Sequence, residues 1–164
     1  MKLIPPPDPR QAVMSSADGF TWTIRTGTAT ADLWNKIAFG NGIFVAIGSK
    51  DAGASGNFLM TSINGIDWTE ATINPTWADY WFDIYFGNGL FIAQGGAQDF
   101  VMTSPDGLIW TQHARASVES CYGTAFGNGT FVAVSGTGSG STVMTSTNGT
   151  VWVAGSGTAV AQNW

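Results

Sequence analysis

His113 is the single histidine of the chain and Cys121 its single cysteine, so the residues able to do acid-base or nucleophilic chemistry are few. A serine relay needs an imidazole within reach of a hydroxyl and a carboxylate. Serines abound here, so counting alone does not exclude such a relay, but His113, in "TQHARAS" (111–117), reads as a lone exposed loop histidine, which is far more often inert. Cys121 excludes an internal disulfide and leaves the redox compartment open. No group of His, Cys, Asp and Glu has metal-ligand spacing, and the turns at Asp18 and Asp106 lack the further carboxylates of a calcium loop. No metal and no cofactor is expected. "GTGSG" (136–140) is followed by no lysine, so it reads as a strand connection rather than a phosphate loop. Asn128-Gly-Thr130 and Asn148-Gly-Thr150 match a glycosylation acceptor but read as hairpin turns. Recognition chemistry is better represented. Trp77, Asp79 and Tyr80 share the irregular stretch "NPTWADYW" (74–81), and an aromatic flanked by an acid suits stacking on a sugar or anchoring a partner protein. These three form the candidate ligand-binding set; the competing reading has Trp77 packed between neighbouring elements.

Composition narrows the function classes. The 164 residues suit one domain, and charged residues make up only 10% of it, against 22 glycines and 8 tryptophans. That balance fits a β-rich chain with many tight turns. The net charge of -5 supplies no electrostatic footprint for nucleic acid or an anionic membrane. "MKLIPPPDPR" (1–10) contains no apolar signal-peptide core, and no apolar run is long enough to span a bilayer as a helix. Synthesis in the cytoplasm is the default expectation.

Two phrases recur and define what must hold these residues in place. "AFGNGIFVAIGS" from Ala38 returns as "YFGNGLFIAQGG" from Tyr85 and "AFGNGTFVAVSG" from Ala125. "VMSSADGFTW" (13–22) returns as "LMTSINGIDW" (59–68), "VMTSPDGLIW" (101–110) and "VMTSTNGTVW" (143–152), and the closing Trp22, Trp68, Trp110 and Trp152 are separated by 46, 42 and 42 residues. A period in the low forties matches a four-stranded propeller blade. "WNKIAF" (34–39) and "IFVAIG" (43–48) flank Gly-Asn-Gly, whose residues accept the positive φ of twist-matched hairpin turns. "FLMTS" (58–62) supplies a third strand, and a fourth is expected to end at the tryptophan. Phe44, Val45, Ala46 and Ile47 do not alternate with polar residues, so both faces of that strand should be covered. Phe39, Phe86 and Phe126, with the four closing tryptophans, are the expected structural residues of the repeat. Complete units are expected to begin at Trp34, Trp81 and Tyr122.

The Ser-x-Asp-Gly-x-x-Trp phrases, joined to Gly-Asn-Gly-x-Phe, resemble the Asp-box (bacterial neuraminidase) repeats of β-propellers. They are more similar still to the Gly-Asn-Gly-x-Phe-Val-Ala-Val repeats of bacterial and phage propeller-like proteins. The resemblance covers residues 13–152. The usual box is one residue longer between Asp and Trp, and two copies here carry Asn64 and Asn148 instead of Asp. The resemblance implies fold rather than activity. Sialidase chemistry in that family needs an arginine triad and a Tyr-Glu pair, whereas Arg10, Arg25 and Arg115 sit in non-equivalent loops or the leader.

The sequence thus predicts an all-β, β-propeller-like domain over 13–164 behind a proline-rich leader (1–12), with three complete repeats. "TGTATADLW" (26–34) and "SGTAVAQNW" (156–164) match in phase. A fourth blade is therefore expected from both termini, with "KLI" (2–4) as its second strand, and its rival is a ring completed by another copy. The functional expectation is a non-enzymatic bacteriophage virion component, a head or tail decoration or fibre module, with host glycan, virion proteins or itself as partners. The alternative is a bacterial propeller lectin or protein-binding module, in the cytoplasm or at the cell surface.

Overall fold

The computed structural model describes residues 13–25, 33–49, 58–71, 81–95, 100–115, 120–135 and 143–155. The architecture is all-β and β-propeller-like, built of antiparallel sheets. A two-stranded fragment, β1 (Val13–Ser15) with β2 (Thr23–Arg25), precedes three four-stranded blades. The first blade is β3 (Leu33–Gly40), β4 (Ile43–Ser49), β5 (Phe58–Ser62) and β6 (Thr69–Glu70). The second is β7 (Trp81–Gly87), β8 (Leu90–Gly95), β9 (Phe100–Ser104) and β10 (Thr111–Ala114). The third is β11 (Cys121–Gly127), β12 (Thr130–Ser135), β13 (Val143–Ser146) and β14 (Val153–Ala154). Each blade is a meander in chain order, and β7 lies beside both β3 and β11. The first strands therefore gather on the inner side. The leader, "KLI" and residues 156–164, from which a shared fourth blade was expected, lie outside the described residues.

Local chemistry explains the hairpins. Asn41, Asn88 and Asn128 have φ of 49°, 51° and 50°, and Gly42, Gly89 and Gly129 follow at 79°, 75° and 75°. Two successive positive φ values make the mirror-image turn that matches strand twist, and Asn-Gly is the pair that tolerates it.

The second repeated phrase folds as a wider turn. In the first blade the Ser62 hydroxyl accepts from the Gly65 amide, while Asn64 Oδ1 accepts from the amides of Ile66 and Asp67. Ser104 and Asp106 repeat the pattern, as do Ser146 and Asn148. Asp and Asn interchange here because the turn uses one acceptor oxygen. The indoles of Trp68, Trp110 and Trp152 donate to the carbonyls of Gly65, Gly107 and Gly149. The turn thus consumes every residue through the tryptophan, so the fourth strand begins after it, at Thr69, Thr111 and Val153, rather than ending at it. The third unit also starts one residue earlier than expected. Cys121 pairs with Ser135 as Trp34 pairs with Gly48 and Trp81 with Gly95, so Cys121 and not Tyr122 fills that slot.

Packing lies in the seams between blades. Val45, Ile47 and Leu59 on one face of the first blade meet Phe91, Ala93, Met102 and Trp110 of the second. Ile92 and Val101 on the second blade's other face meet Phe131, Ala133, Met144 and Trp152 of the third. Ala46, Met60 and Trp68 are covered in part by Val13 of the fragment. The small alanines let the blades approach. Glycines do so at the inner edge, where Phe86 and Phe126 of the following blades fill the space that a Cβ on Gly40 or Gly87 would occupy. Phe86 and Phe126 also contact Phe91 and Phe131 at ring distances of 4.7 and 4.5 Å. Phe39 contacts Phe44 at 4.4 Å but stays exposed. Trp22 departs from its three counterparts, being 55% exposed. Met14 and Ile24 beside it are exposed as well, at 49% and 53%.

Candidate binding surface

The expected ligand set, Trp77, Asp79 and Tyr80, falls within residues 72–80, outside the described residues; this stretch joins Ala71 to Trp81. A distinctive geometry begins at the strand start itself. All three inner strands break register there, between Trp34 and Lys36, Trp81 and Asp83, and Cys121 and Gly123. Each break leaves one extra residue, respectively Asn35, Phe82 and Tyr122. Such bulges re-aim side chains and are common beside binding sites. Phe82 and Tyr122 stack across the seam between the second and third blades, with centroids 5.1 Å apart and planes inclined by 15°. Tyr122 is 46% exposed. From the first blade, Asn35 Nδ2 donates to the Trp81 carbonyl at 3.2 Å.

Beneath the stack lies a polar seam. Gln94 Nε2 donates to Thr124 Oγ1 at 2.9 Å, and the Arg115 guanidinium donates to the Gly95 carbonyl at 3.2 Å. Burial pushes the Asp83 carboxyl above its ordinary value, opposed by its hydrogen bond with Thr124 and by the charge of Lys36. Burial likewise raises the Cys121 thiol, opposed by Arg115, so the sulfur is held as an unreactive thiol. Asp83 Oδ2, Gln94 Oε1, Ser135 Oγ and Trp81 Nε1 are buried without a hydrogen-bond partner among the described residues. The arrangement offers an aromatic platform with polar groups behind it. That suits non-covalent recognition.

Other candidates fall elsewhere. His113 is not in a loop: it belongs to β10, pairs with Val101, and its Nε2 lies 2.8 Å from Thr103 Oγ1. The misreading has a local cause, since the fourth strand starts later than the tryptophan suggests. Burial lowers the His113 pKa, which leaves the ring neutral at physiological pH. Arg25 sits in β2 and donates from Nε to Ser15 Oγ at 2.8 Å, while Arg115 is buried just after β10. The described arginines thus do not converge. Among the described residues, no three of His, Cys, Asp and Glu gather as metal ligands would. A cleft of about 440 Å³ opens between the fragment and the first blade, lined by Ser15, Asp18, Thr21, Arg25 and Asn64 among others. Sequence reading missed Phe82 and Tyr122 because nothing local distinguishes a bulged residue from its paired neighbours. No sequence signal marked them, since the positions on both sides vary too, as Trp34, Trp81 and Cys121 before the bulge and Lys36, Asp83 and Gly123 after it.

No family model and no curated protein matches the sequence. Solved structures do match in fold. One is YCF48 bound to D1 peptide, with a TM-score of 0.61 and 18% identity over 87% of this chain and 48% of that one. Another is YCF48 from Cyanidioschyzon merolae, with a TM-score of 0.59 and 14% identity over 91% of this chain and 51% of that one. The chain therefore spans about half the length of these propellers, and at such identity the likeness is one of fold.

Proposed function

We propose that this chain is a non-enzymatic protein-binding module that receives an extended segment of a partner on its inner surface. The observation that carries this reading is the Phe82–Tyr122 stack, exposed at Tyr122 and half-buried at Phe82, built on matching bulges of neighbouring inner strands. Bulges leave strand-edge groups unpaired, and an aromatic platform beside them can hold side chains of a bound segment. A solved structure of the same fold, YCF48, holds a D1 peptide, which supports the same class of ligand here. A glycan is the second reading, favoured by the same platform, because sugar faces also stack on aromatic rings. A virion setting, as head or tail decoration, is a proposal about where the module acts and rests on the repeat resemblance.

The test is selection of peptides from a random display library on the purified chain, beside a glycan array. Tyr122→Ala should weaken selected peptides at least ~10-fold while shifting the melting temperature little, since a half-exposed ring supports few core contacts. Peptides that bind Tyr122→Ala as well as the wild type would overturn the surface assignment. Glycan binding without peptide binding would replace the first reading by the second. Mass spectrometry of purified virions that encode the chain decides the setting.

A further inference from the structure

Each closed seam of the structure repeats one contact. Val45 of the first blade sits over Gly107 of the second, its Cγ2 2.6 Å from where a Cβ on that glycine would lie. Ile92 of the second blade sits likewise over Gly149 of the third, at 3.1 Å. A branched side chain thus fills the notch of the following blade's turn. The third blade carries the same side chain in Val132, and the fragment β1–β2 carries the same notch in Gly19. Neither is matched: Val132 is 37% exposed, and nothing lies within 4 Å of a Cβ on Gly19.

The surroundings are open in the same way. Val45, Ile47 and Leu59 are fully buried, as are Ile92, Gln94 and Val101 in the second blade. Their counterparts in the third, Val132, Val134 and Val143, are 37%, 46% and 38% exposed. Gly127 faces open space where Gly40 and Gly87 are covered. At the other end Met14 is 49% exposed whereas Met60, Met102 and Met144 are buried, and Trp22 and Ile24 are exposed beside it. The two ends present the two halves of one seam.

We propose that a second copy of this chain supplies the missing half, its Met14, Trp22, Ile24 and Gly19 packing on Val132, Val134 and Val143 of the first. The contact is head to tail, and two such contacts close a ring. A second copy is the occupant because one chain displays both complementary surfaces, with the same side-chain types that pair inside it.

Sedimentation velocity on the full chain tests the proposal, with far-UV circular dichroism as the fold control. The wild type should sediment as two chains. Val132→Glu and, separately, Ile24→Glu should each raise the dissociation constant at least ~100-fold, because an unpaired carboxylate would be buried in the seam. Both should keep the spectrum and melting temperature of a folded single chain, and Val132→Ile should remain two chains. A wild type that stays one chain at its highest soluble concentration overturns the proposal. So does a two-chain species that survives Ile24→Glu, since the valine faces would then pair with each other. A single chain steeply destabilised by Val132→Glu overturns it too, showing that the chain covers its own face.

Discussion

Asp83 shows how burial and its neighbours compete over one carboxyl. Burial raises its pKa above 3.8, and neither the Thr124 hydroxyl nor Lys36 offsets that fully. The folded state therefore holds its proton more tightly than the unfolded chain. The stability this contributes is fully present below about 3.8 and is lost as the pH rises through the raised value. Asp83→Asn should consequently become relatively more stable than the wild type as the pH is raised from 3.8 toward neutrality. Urea unfolding midpoints of the two proteins across that range test this, and parallel curves would contradict it. Tyr122 is the other decisive residue at this scale, because its exposure makes loss of binding separable from loss of folding.

At the scale of the element, the Ser-x-Asp/Asn-Gly-x-x-Trp turn is a self-contained unit. Its acidic copies have an electrostatic signature that the amide copies lack. The amides of Thr21 and then Phe20, with the Ser16 hydroxyl, hold Asp18 at a pKa of about 2. The amides of Ile109 and then Leu108 lower Asp106 in the same way. Their stabilisation is present above the ordinary carboxylate value and fades as the pH falls through the depressed one. Asp106→Asn should therefore leave stability at pH 7 nearly unchanged, as Asn64 and Asn148 already occupy the equivalent place, while making acid unfolding shallower. Thermal melts of the variant and the wild type from neutral to acid pH measure it, and a large loss at neutrality would show that the turn needs the charge. Trp110→Ala should cost about 3–5 kcal/mol, since the indole fills the seam and satisfies the Gly107 carbonyl. Chemical denaturation gives that value directly.

For the whole molecule, stability should rise from the ends of the arc toward its closed seams. A propeller resembles other repeat arrays in that each unit leans mainly on its neighbours. Ile47 is covered by the second blade while its counterpart Val134 faces outward. Ile47→Ala should cost about 2–5 kcal/mol. Val134→Ala, measured in the single-chain Ile24→Glu background, should change stability by no more than about 0.5 kcal/mol. Equal costs would mean that the third blade's outer face is already packed within one chain.

The repeat phrases by themselves determined the period, the Asn-Gly hairpins, the recurrent turn and the covering of both faces of the second strand in the first blade. These depend on φ preferences, hydrogen bonds within a few residues and the absence of apolar alternation, all of them local. The start of the fourth strand was misread because the turn's hydrogen bonds extend through Trp68, Trp110 and Trp152, which a pattern of apolar residues does not reveal. Only the tertiary structure decided that Phe82 and Tyr122 stack, that Asp83 is buried against Thr124, that His113 belongs to a strand, and that Val132 is exposed where Val45 and Ile92 are buried. For His113 the reason is the local extent of the turn, and for the other three it is contact between blades. Repeated residues are chemically equivalent in sequence, but burial and pKa depend on whether a neighbouring blade lies against them, and that contact joins residues far apart in the chain.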